Sequence, residues 1–233
     1  MRARLFAAAV AGLLMLPLAG CASSDPSPGA IGRAEPAPGV CDGVPKCRVV
    51  ANTDVDGDGR PDEVGFVVES KKRVVVRVTT AAGETAGRGL DTMWFPRGEF
   101  FGAAPVDGRP GAELVVGTTM GAHTLWFTTL AMDSGRLEVL PAPGAEDEWM
   151  IDGAYSFHAG VTRRVDNGRA VVVVRDAARD GLAPRFSGRD RTYVWTDGGW
   201  QLESTERTRY RGEQSVARIG GWHVDGLRQF PNF

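Results

Sequence analysis

The chain has few cysteines, few lysines and little net charge. Of its 233 residues three are cysteine, and its lysines are Lys46, Lys71 and Lys72. The 27 basic residues are nearly balanced by 29 acidic residues, which leaves a formal charge of -2. A chain this close to neutral lacks the broad positive field with which proteins attract nucleic acids. We therefore expect no nucleic-acid partner.

The chain also lacks the short motifs of several large enzyme classes. It contains no Gly-x-Ser-x-Gly turn, no His-Glu-x-x-His helix motif and no glycine-rich phosphate loop. One catalytic alternative stays open: the acidic run Glu146-Asp147-Glu148 with Asp152, because glycosidases use paired carboxylates across a cleft. We expect a protein without enzymatic activity, with an envelope hydrolase as the alternative.

The first twenty residues have the pattern of a bacterial export signal. Arg2 and Arg4 precede the apolar run Leu5 to Gly20, which Pro17 interrupts and which is shorter than the about 20 residues of a membrane-spanning helix. The following Leu18-Ala19-Gly20-Cys21 resembles the lipobox of bacterial lipoproteins. That resemblance implies cleavage after Gly20 and a lipid on Cys21, and hence a protein anchored at the extracytoplasmic face of the cell membrane. An ordinary secretory signal is the alternative.

Residues 21–40 are expected to form a tether. The stretch after Cys21 is rich in Pro, Ser, Gly and Ala and has Ile31 as its one large apolar residue before Val40. Such a composition cannot bury a core and favours an extended, solvated chain. Residues 41–233 remain, a length that suits one domain.

The two remaining cysteines, Cys41 and Cys47, are close in sequence. They enclose a glycine and a proline, and in an oxidising exterior such a pair is typical of a local disulfide. The alternative of a cysteine-based metal site has no further ligands nearby. We therefore predict a Cys41–Cys47 disulfide.

Short apolar runs rich in β-branched residues follow, each bounded by Gly, Asp or Pro, which is typical of strands. They cover residues 48–51, 64–68, 74–79, 114–117, 124–130, 169–174, 192–195 and 200–203. Asp133-Ser134-Gly135, Asp166-Asn167-Gly168 and Asp197-Gly198-Gly199 supply turn residues for hairpins. No segment shows a sustained apolar period of 3.6 residues. We predict an all-β domain of antiparallel hairpins.

The most specific segment is Asp54-Val55-Asp56-Gly57-Asp58-Gly59-Arg60-Pro61-Asp62, which has carboxylates at loop positions 1, 3, 5 and 9. Ca²⁺ takes roughly six to eight oxygen ligands, and this spacing lets a curled loop turn several carboxylates toward one ion. An EF-hand would require a glutamate at position 12, where this chain has Gly65, and a following helix, where it has a strand-like run. The segment is typical of a calcium loop outside the EF-hand class. The alternative is a solvated Asp-Gly turn without an ion.

This motif followed by a strand resembles the FG-GAP or VCBS repeat, the calcium loop of integrin α-type propeller blades. The resemblance implies a structural Ca²⁺ held by the carboxylates of Asp54, Asp56, Asp58 and Asp62 and by the carbonyl of Arg60. With the lipobox and tether, the chain resembles actinobacterial lipoproteins that carry such repeats.

A second, weaker copy starts at Asp107, where Asp-Gly-Arg-Pro recurs 49 residues after Asp58. In place of Asp54, Asp56 and Asp62 this copy has Ala103, Pro105 and Gly111, so we expect a turn without metal. The repeats lie near residues 49–80 and 99–131. We predict two propeller-blade-like units in a partial propeller or a small β-sandwich, because the chain is too short for a full propeller.

These observations predict a membrane-anchored module with a structural calcium site that serves structure or recognition. Several Trp and Phe residues leave a cell-wall or carbohydrate-binding lipoprotein as an alternative, since exposed aromatic rings stack on sugars. Apart from the membrane, the expected partners are a cell-wall glycan or an envelope protein.

Overall fold

The structure, a computed structural model, describes residues 38–144, 148–196 and 198–228. The expected signal segment, Cys21 and the tether up to residue 37 lie outside these ranges, as do Glu146 and Asp147. The described residues form one compact unit. Within the described ranges, no helix has the length and apolar character needed to cross a membrane.

The first sheet consists of four antiparallel strands in chain order. They are β1 (Cys47–Thr53), β2 (Asp62–Ser70), β3 (Arg73–Thr79) and β4 (Thr85–Asp91). Val74, Val76 and Val78 alternate with less buried residues along β3, because successive side chains of a strand point to opposite faces. The sheet therefore has one strongly apolar face.

The strand register defines two ends of this sheet. Thr53 of β1 pairs with Asp62 of β2 at one end, which we call the loop end. At the other end, which we call the basic end, β1 begins at Cys47 and Arg73 of β3 pairs with Asp91 of β4. The Asp-rich loop between β1 and β2 lies at the loop end, and the hairpin between β2 and β3 lies at the basic end.

The second sheet is larger, with the strand order β13-β12-β11-β10-β9-β7-β6-β5. Two further strands extend it: β8 pairs with β7, and β14 pairs in parallel with β10. The members are β5 (Glu99–Ala104), β6 (Glu113–Met120), β7 (Thr124–Asp133), β8 (Arg136–Leu140), β9 (Trp149–Gly153), β10 (Phe157–Asp166), β11 (Arg169–Arg179), β12 (Arg185–Thr196), β13 (Gly199–Arg211) and β14 (Gly221–His223).

Strands β6 and β7 form a middle layer whose side chains are buried on both faces. Leu114 and Val116 of β6 pack with Phe66 and other residues of the first sheet, in a cluster that we call the first core. Val115, between them on the opposite face, packs with Trp222 of β14 in a second core that also contains residues of β10 and β11. The prediction of an all-β, antiparallel fold is confirmed, and the layering is consistent with a sandwich or a partial propeller.

Both cores are built from residues after position 38. The largest fully buried side chains include Trp149, Trp222, Phe66 and Phe127, and each lies on a described strand. Burial of such rings is the main favourable contribution to folding.

The predicted disulfide between Cys41 and Cys47 is present, with a Cα–Cα distance of 5.3 Å. It closes a short loop directly before β1. Val40, which the sequence placed in the tether, is 2% exposed, and its carbonyl accepts a hydrogen bond from Nε of Arg77 at 3.3 Å. Val40, the residue directly before the disulfide, is therefore part of the folded domain and not of the tether.

The predicted turn segments lie between adjacent strands, and Asp197 of the third segment falls outside the described residues. Between β10 and β11, Asn167 and Gly168 have φ values of 51° and 78°, the left-handed conformation that two-residue hairpin turns need. Several strands carry no signal that the sequence analysis recognised, among them β4, β5 and β10. The short helix α1 (Glu213–Ala217) was also not predicted, because five residues are too few to show a helical period.

Candidate metal site

The loop from Asp54 to Pro61 connects β1 to β2 and is curled by hydrogen bonds to its own first carboxylate. The two oxygens of Asp54 accept hydrogen bonds from the backbone N–H of Gly57 at 2.7 Å and of Gly59 at 2.9 Å. The carboxylate of Asp56 accepts one from the N–H of Asp58 at 3.1 Å. These bonds fold the segment back on itself, as the spacing predicted.

Three of the four predicted carboxylate ligands are brought together. Asp54, Asp56 and Asp58 each offer an oxygen, and these oxygens all lie within 4.8 Å of one another. The pKa of Asp56 is raised, first by partial desolvation and then by repulsion from the carboxylates of Asp62, Asp58 and Asp54. Hard oxygen donors gathered in this way match the ligand preference of Ca²⁺ or Mg²⁺.

Arg60 lies beside this group with its side chain on Asp58. Its Nε is 2.8 Å from Oδ2 of Asp58, and this side-chain hydrogen bond holds the pKa of the Asp58 carboxyl below its ordinary value. Both residues are exposed. One of the three gathered carboxylates is therefore shared with a guanidinium group of the same loop.

Asp62, the predicted fourth ligand, lies beneath the loop and outside the group of three. It is 1% exposed, and its carboxylate accepts backbone hydrogen bonds from Val55 at 2.7 Å, Asp56 at 3.3 Å and Ala81 at 2.9 Å. As the first residue of β2 it faces N–H groups that have no strand partner. Its role in the structure is to brace the loop against the sheet.

The loop between β5 and β6 repeats this brace with a different residue. Glu113, the first residue of β6, is 3% exposed and accepts hydrogen bonds from the N–H of Val106 and of Asp107. Glu113 therefore has the role that Asp62 has 51 residues earlier. The sequence repeat, with its offset of 49 residues, had instead matched Asp62 with Gly111. The sequence analysis missed Glu113. The available signal was an acidic residue directly before a buried strand, as in the first copy.

Charge is balanced differently in the two loops. When the two loops are aligned on Glu113 and Asp62, the positions of Asp54, Asp56 and Asp58 are taken in the second loop by Pro105, Asp107 and Arg109. Nε of Arg109 lies 2.7 Å from the fully buried Asp107 carboxylate. The second loop thus sets one guanidinium against two carboxyl groups, Asp107 and the buried Glu113, whereas the first sets one against four.

The two loops are in direct contact. The N–H of Ala112 donates to the carbonyl of Asp54 at 2.8 Å. A Cβ on Gly57 would lie 2.8 Å from Cβ of Pro110, and one on Gly111 would lie 2.6 Å from the carbonyl oxygen of Val55, so neither position has room for a side chain. The second loop therefore supports the curl of the first.

Solvent reaches the carboxylate group through two clefts that share Asp56. One, of about 330 Å³, is also lined by Arg109, Pro110 and Glu113. The other, of about 250 Å³, is also lined by Thr80 and Glu84. A dissolved ion can therefore reach the loop without any rearrangement of the layers.

The buried Glu113 predicts a dependence of stability on pH. Burial, and then repulsion from Asp107, raise the pKa of Glu113 from 4.5 to about 8. Between these values the folded protein holds a proton that the unfolded chain releases, so this group lowers the stability as the pH rises. Glu113→Gln mimics the protonated form. We expect its stability relative to the wild type to increase by on the order of 2–4 kcal/mol from about pH 5 to about pH 9.

Urea denaturation at the two pH values measures this difference. The exposed Glu138, which pairs with Arg88, provides the control, and Glu138→Gln should differ from the wild type by the same amount at both. A Glu113→Gln difference that does not change with pH would show that Glu113 is ionised in the folded protein.

Comparisons with known proteins identify no relative. No family model matches the chain, and no curated protein or solved structure is significantly similar to it. Any functional assignment therefore depends on the residues and geometry described above.

Proposed function

We propose that this chain is a lipid-anchored extracytoplasmic protein whose β domain is stabilised by one Ca²⁺ in the Asp54–Asp62 loop, and that the domain serves structure or recognition and not catalysis. The observation that carries the proposal is the group of three carboxylate oxygens within 4.8 Å of one another in Asp54, Asp56 and Asp58. Like charges this close repel unless a cation neutralises them.

The second loop supports this interpretation by contrast. It has the same brace and the same number of residues from Val106 to Glu113 as from Val55 to Asp62, yet its arginine stands where the first loop has Asp58. In the second loop a guanidinium supplies the positive charge. In the first loop the charge is left to an external cation, because Arg60 can pair with only one of the gathered carboxylates.

The residues present fit a calcium ion. Asp54, Asp56 and Asp58 would supply carboxylate oxygens, the carbonyl of Arg60 would supply a neutral oxygen, and water would complete the shell. Bound there, the ion would offset the repulsion within the loop and fix the angle between β1 and β2. We keep the resemblance to FG-GAP or VCBS loops as part of the proposal, with Asp62 as the brace.

Calcium is expected to raise the melting temperature of residues 22–233. Extracellular modules bind Ca²⁺ with dissociation constants of about 10⁻⁴ to 10⁻³ M, so about 10 mM calcium should saturate most of the sites. Differential scanning calorimetry with calcium and with a chelator measures the shift. Identical melting curves would contradict the proposal.

The anchor is proposed from the sequence around Cys21. Incorporation of a labelled fatty acid into the protein during expression, and its loss in Cys21→Ser, tests this part. Label that persists in the variant would contradict a lipid on Cys21, whatever the outcome of the calcium experiment.

The described residues give less support to the two alternatives. Among them the exposed aromatic side chains are Phe95 and Tyr155, which lie in separate segments and form no row for stacking on a glycan. Asp152, in the hydrolase alternative, accepts hydrogen bonds from the hydroxyl of Thr124 and from the N–H of Ala154, and Glu148 accepts one from Thr118. These carboxylates serve local structure.

A further inference from the structure

The basic end of the first sheet carries five cations without acidic partners. They are exposed, and none forms an ion pair with a described residue. The five are Lys46, Arg48, Lys71, Lys72 and Arg97. All three lysines of the chain are among them, so the few flexible ammonium groups of this protein are concentrated at one place.

These side chains belong to one surface. Lys46, Arg48 and Arg97 line a single open cleft of about 580 Å³, and Arg48 and Arg97 also line a second cleft that contains Pro96. The hairpin with Lys71 and Lys72 is joined to the same region, because the N–H of Thr92 donates to the carbonyl of Lys72 at 2.8 Å.

Three acidic residues at the basic end are already paired with arginines. Glu69 and Asp91 each lie 3.1 Å from the guanidinium of Arg73. Glu99 lies 2.9 Å from that of Arg228. The five unpaired cations therefore leave the surface positive.

Two large apolar side chains project from the same region. Met93 is 75% exposed and Phe95 is 79% exposed. The residue between them, Trp94, is buried, with its ring centroid 5.5 Å from that of Phe101 and 5.6 Å from that of Phe127. The buried tryptophan holds the loop in place while its neighbours face solvent, and folding of the monomer does not explain their exposure.

The chain reaches the basic end only through the disulfide loop, because Val40 before that loop lies nearer the loop end, where its N–H donates to Oε2 of Glu63 at 3.0 Å. The disulfide loop leads directly into Lys46 and into β1 at Cys47, and the expected lipid on Cys21 would precede it by a tether that ends near residue 37. An extended tether of residues 22–37 reaches about 50 Å at about 3.1 Å per residue. A tether of that length limits the distance from the membrane without fixing the orientation of the domain.

We propose that the basic end, with Met93 and Phe95, docks on the anionic phospholipid headgroups of the membrane to which the chain is tethered. Lysine and arginine side chains near an anionic bilayer are each attracted by its surface potential. An aromatic and a thioether side chain beside them suit the boundary between headgroups and acyl chains. The apolar pair favours a bilayer over a soluble polyanion, which would gain nothing from it.

Docking would place the calcium loop on the side away from the membrane, since that loop lies at the opposite end of β1 and β2. The inference takes its setting from the proposed anchor, but the docking surface itself consists of described residues. Vesicle binding without the lipid therefore tests docking separately from the anchor and from calcium binding.

A second cationic surface provides a matched control. Arg207 and Arg209 on β13 are exposed, and neither forms an ion pair with a described residue. They lie on β13, an edge strand of the second sheet, and not on the first sheet. Arg207→Gln/Arg209→Gln removes the same net charge as Lys71→Gln/Lys72→Gln, so the two double variants separate the position of the charge from its amount.

The test is co-sedimentation of residues 22–233, which lack Cys21, with vesicles that contain phosphatidylglycerol and with pure phosphatidylcholine vesicles. A chelator is present throughout to remove calcium. We expect binding to the anionic vesicles that weakens as salt is added. Lys71→Gln/Lys72→Gln should bind about 10- to 30-fold more weakly, and Phe95→Ser several-fold more weakly. Arg207→Gln/Arg209→Gln should stay within about twofold of the wild type.

Three results would overturn the proposal. They are absence of binding to anionic vesicles, equal losses in the two double variants, and retention on isolated cell wall without any binding to vesicles. A calcium-dependent melting shift in the same preparation would show that such a failure concerns docking and leaves the proposed calcium site intact.

Discussion

Asp62→Ala is expected to lower the free energy of unfolding by about 3–5 kcal/mol. The substitution removes a buried carboxylate that accepts three backbone hydrogen bonds, from Val55, Asp56 and Ala81. An N–H group left without an acceptor in a buried position costs about 1–3 kcal/mol. The loss would also release the base of the calcium loop, so calcium should stabilise this variant less than the wild type.

Asp62→Asn is the matched variant, because an amide oxygen can still accept the two bonds from the loop. We expect it to retain more than half of the stability that alanine loses, as measured by urea denaturation without calcium. If Asp62→Ala were as stable as the wild type to within about 0.5 kcal/mol, Asp62 would not be the brace that the structure describes.

Asp56→Asn is expected to abolish stabilisation by calcium. The substitution removes one of the three negative charges that would bind calcium. A site with a dissociation constant of about 1 mM that loses affinity would no longer be occupied at millimolar calcium. At calcium one hundred-fold above its dissociation constant, the wild type should gain about 2.7 kcal/mol. The variant without calcium should be at least as stable as the wild type, because desolvation and then repulsion from the neighbouring carboxylates raise the pKa of Asp56, and the neutral amide avoids both costs.

Two variants make this result specific. Asp225 is exposed and forms no ion pair with a described residue, so Asp225→Asn removes one charge elsewhere and should leave the calcium response unchanged. Arg60→Ala keeps the backbone carbonyl but frees Asp58 from its guanidinium, and it should bind calcium a few-fold more tightly. A calcium response that survives in Asp56→Asn would place the ion elsewhere.

The sequence was sufficient for the fold class because many strands carry β-branched runs bounded by turn residues. It was not sufficient for strands such as β4, with the sequence Thr-Ala-Gly-Arg-Gly-Leu-Asp, which has little intrinsic strand preference. That strand forms because β3 presents it with a full set of hydrogen-bond partners. Tertiary context overrides weak local propensity in such cases.

The candidate site was predictable in part for a related reason. The spacing of Asp54, Asp56 and Asp58 is local, and the structure gathers these three side chains. The role of Asp62 depends on Ala81, which lies 19 residues away. The role of Glu113 was hidden because the two loops align in the structure with an offset two residues larger than the offset of the sequence repeat. The proposed docking surface joins Lys46, the Lys71-Lys72 hairpin and Arg97, and only strand pairing brings these segments together.

The most direct test of the central claim is isothermal titration of calcium into residues 22–233 that have been freed of metal by a chelator. The account predicts one site with a dissociation constant of about 10⁻⁴ to 10⁻³ M, absent in Asp56→Asn. A titration in which the wild type and Asp56→Asn give the same heats, with neither showing saturable binding, would contradict it.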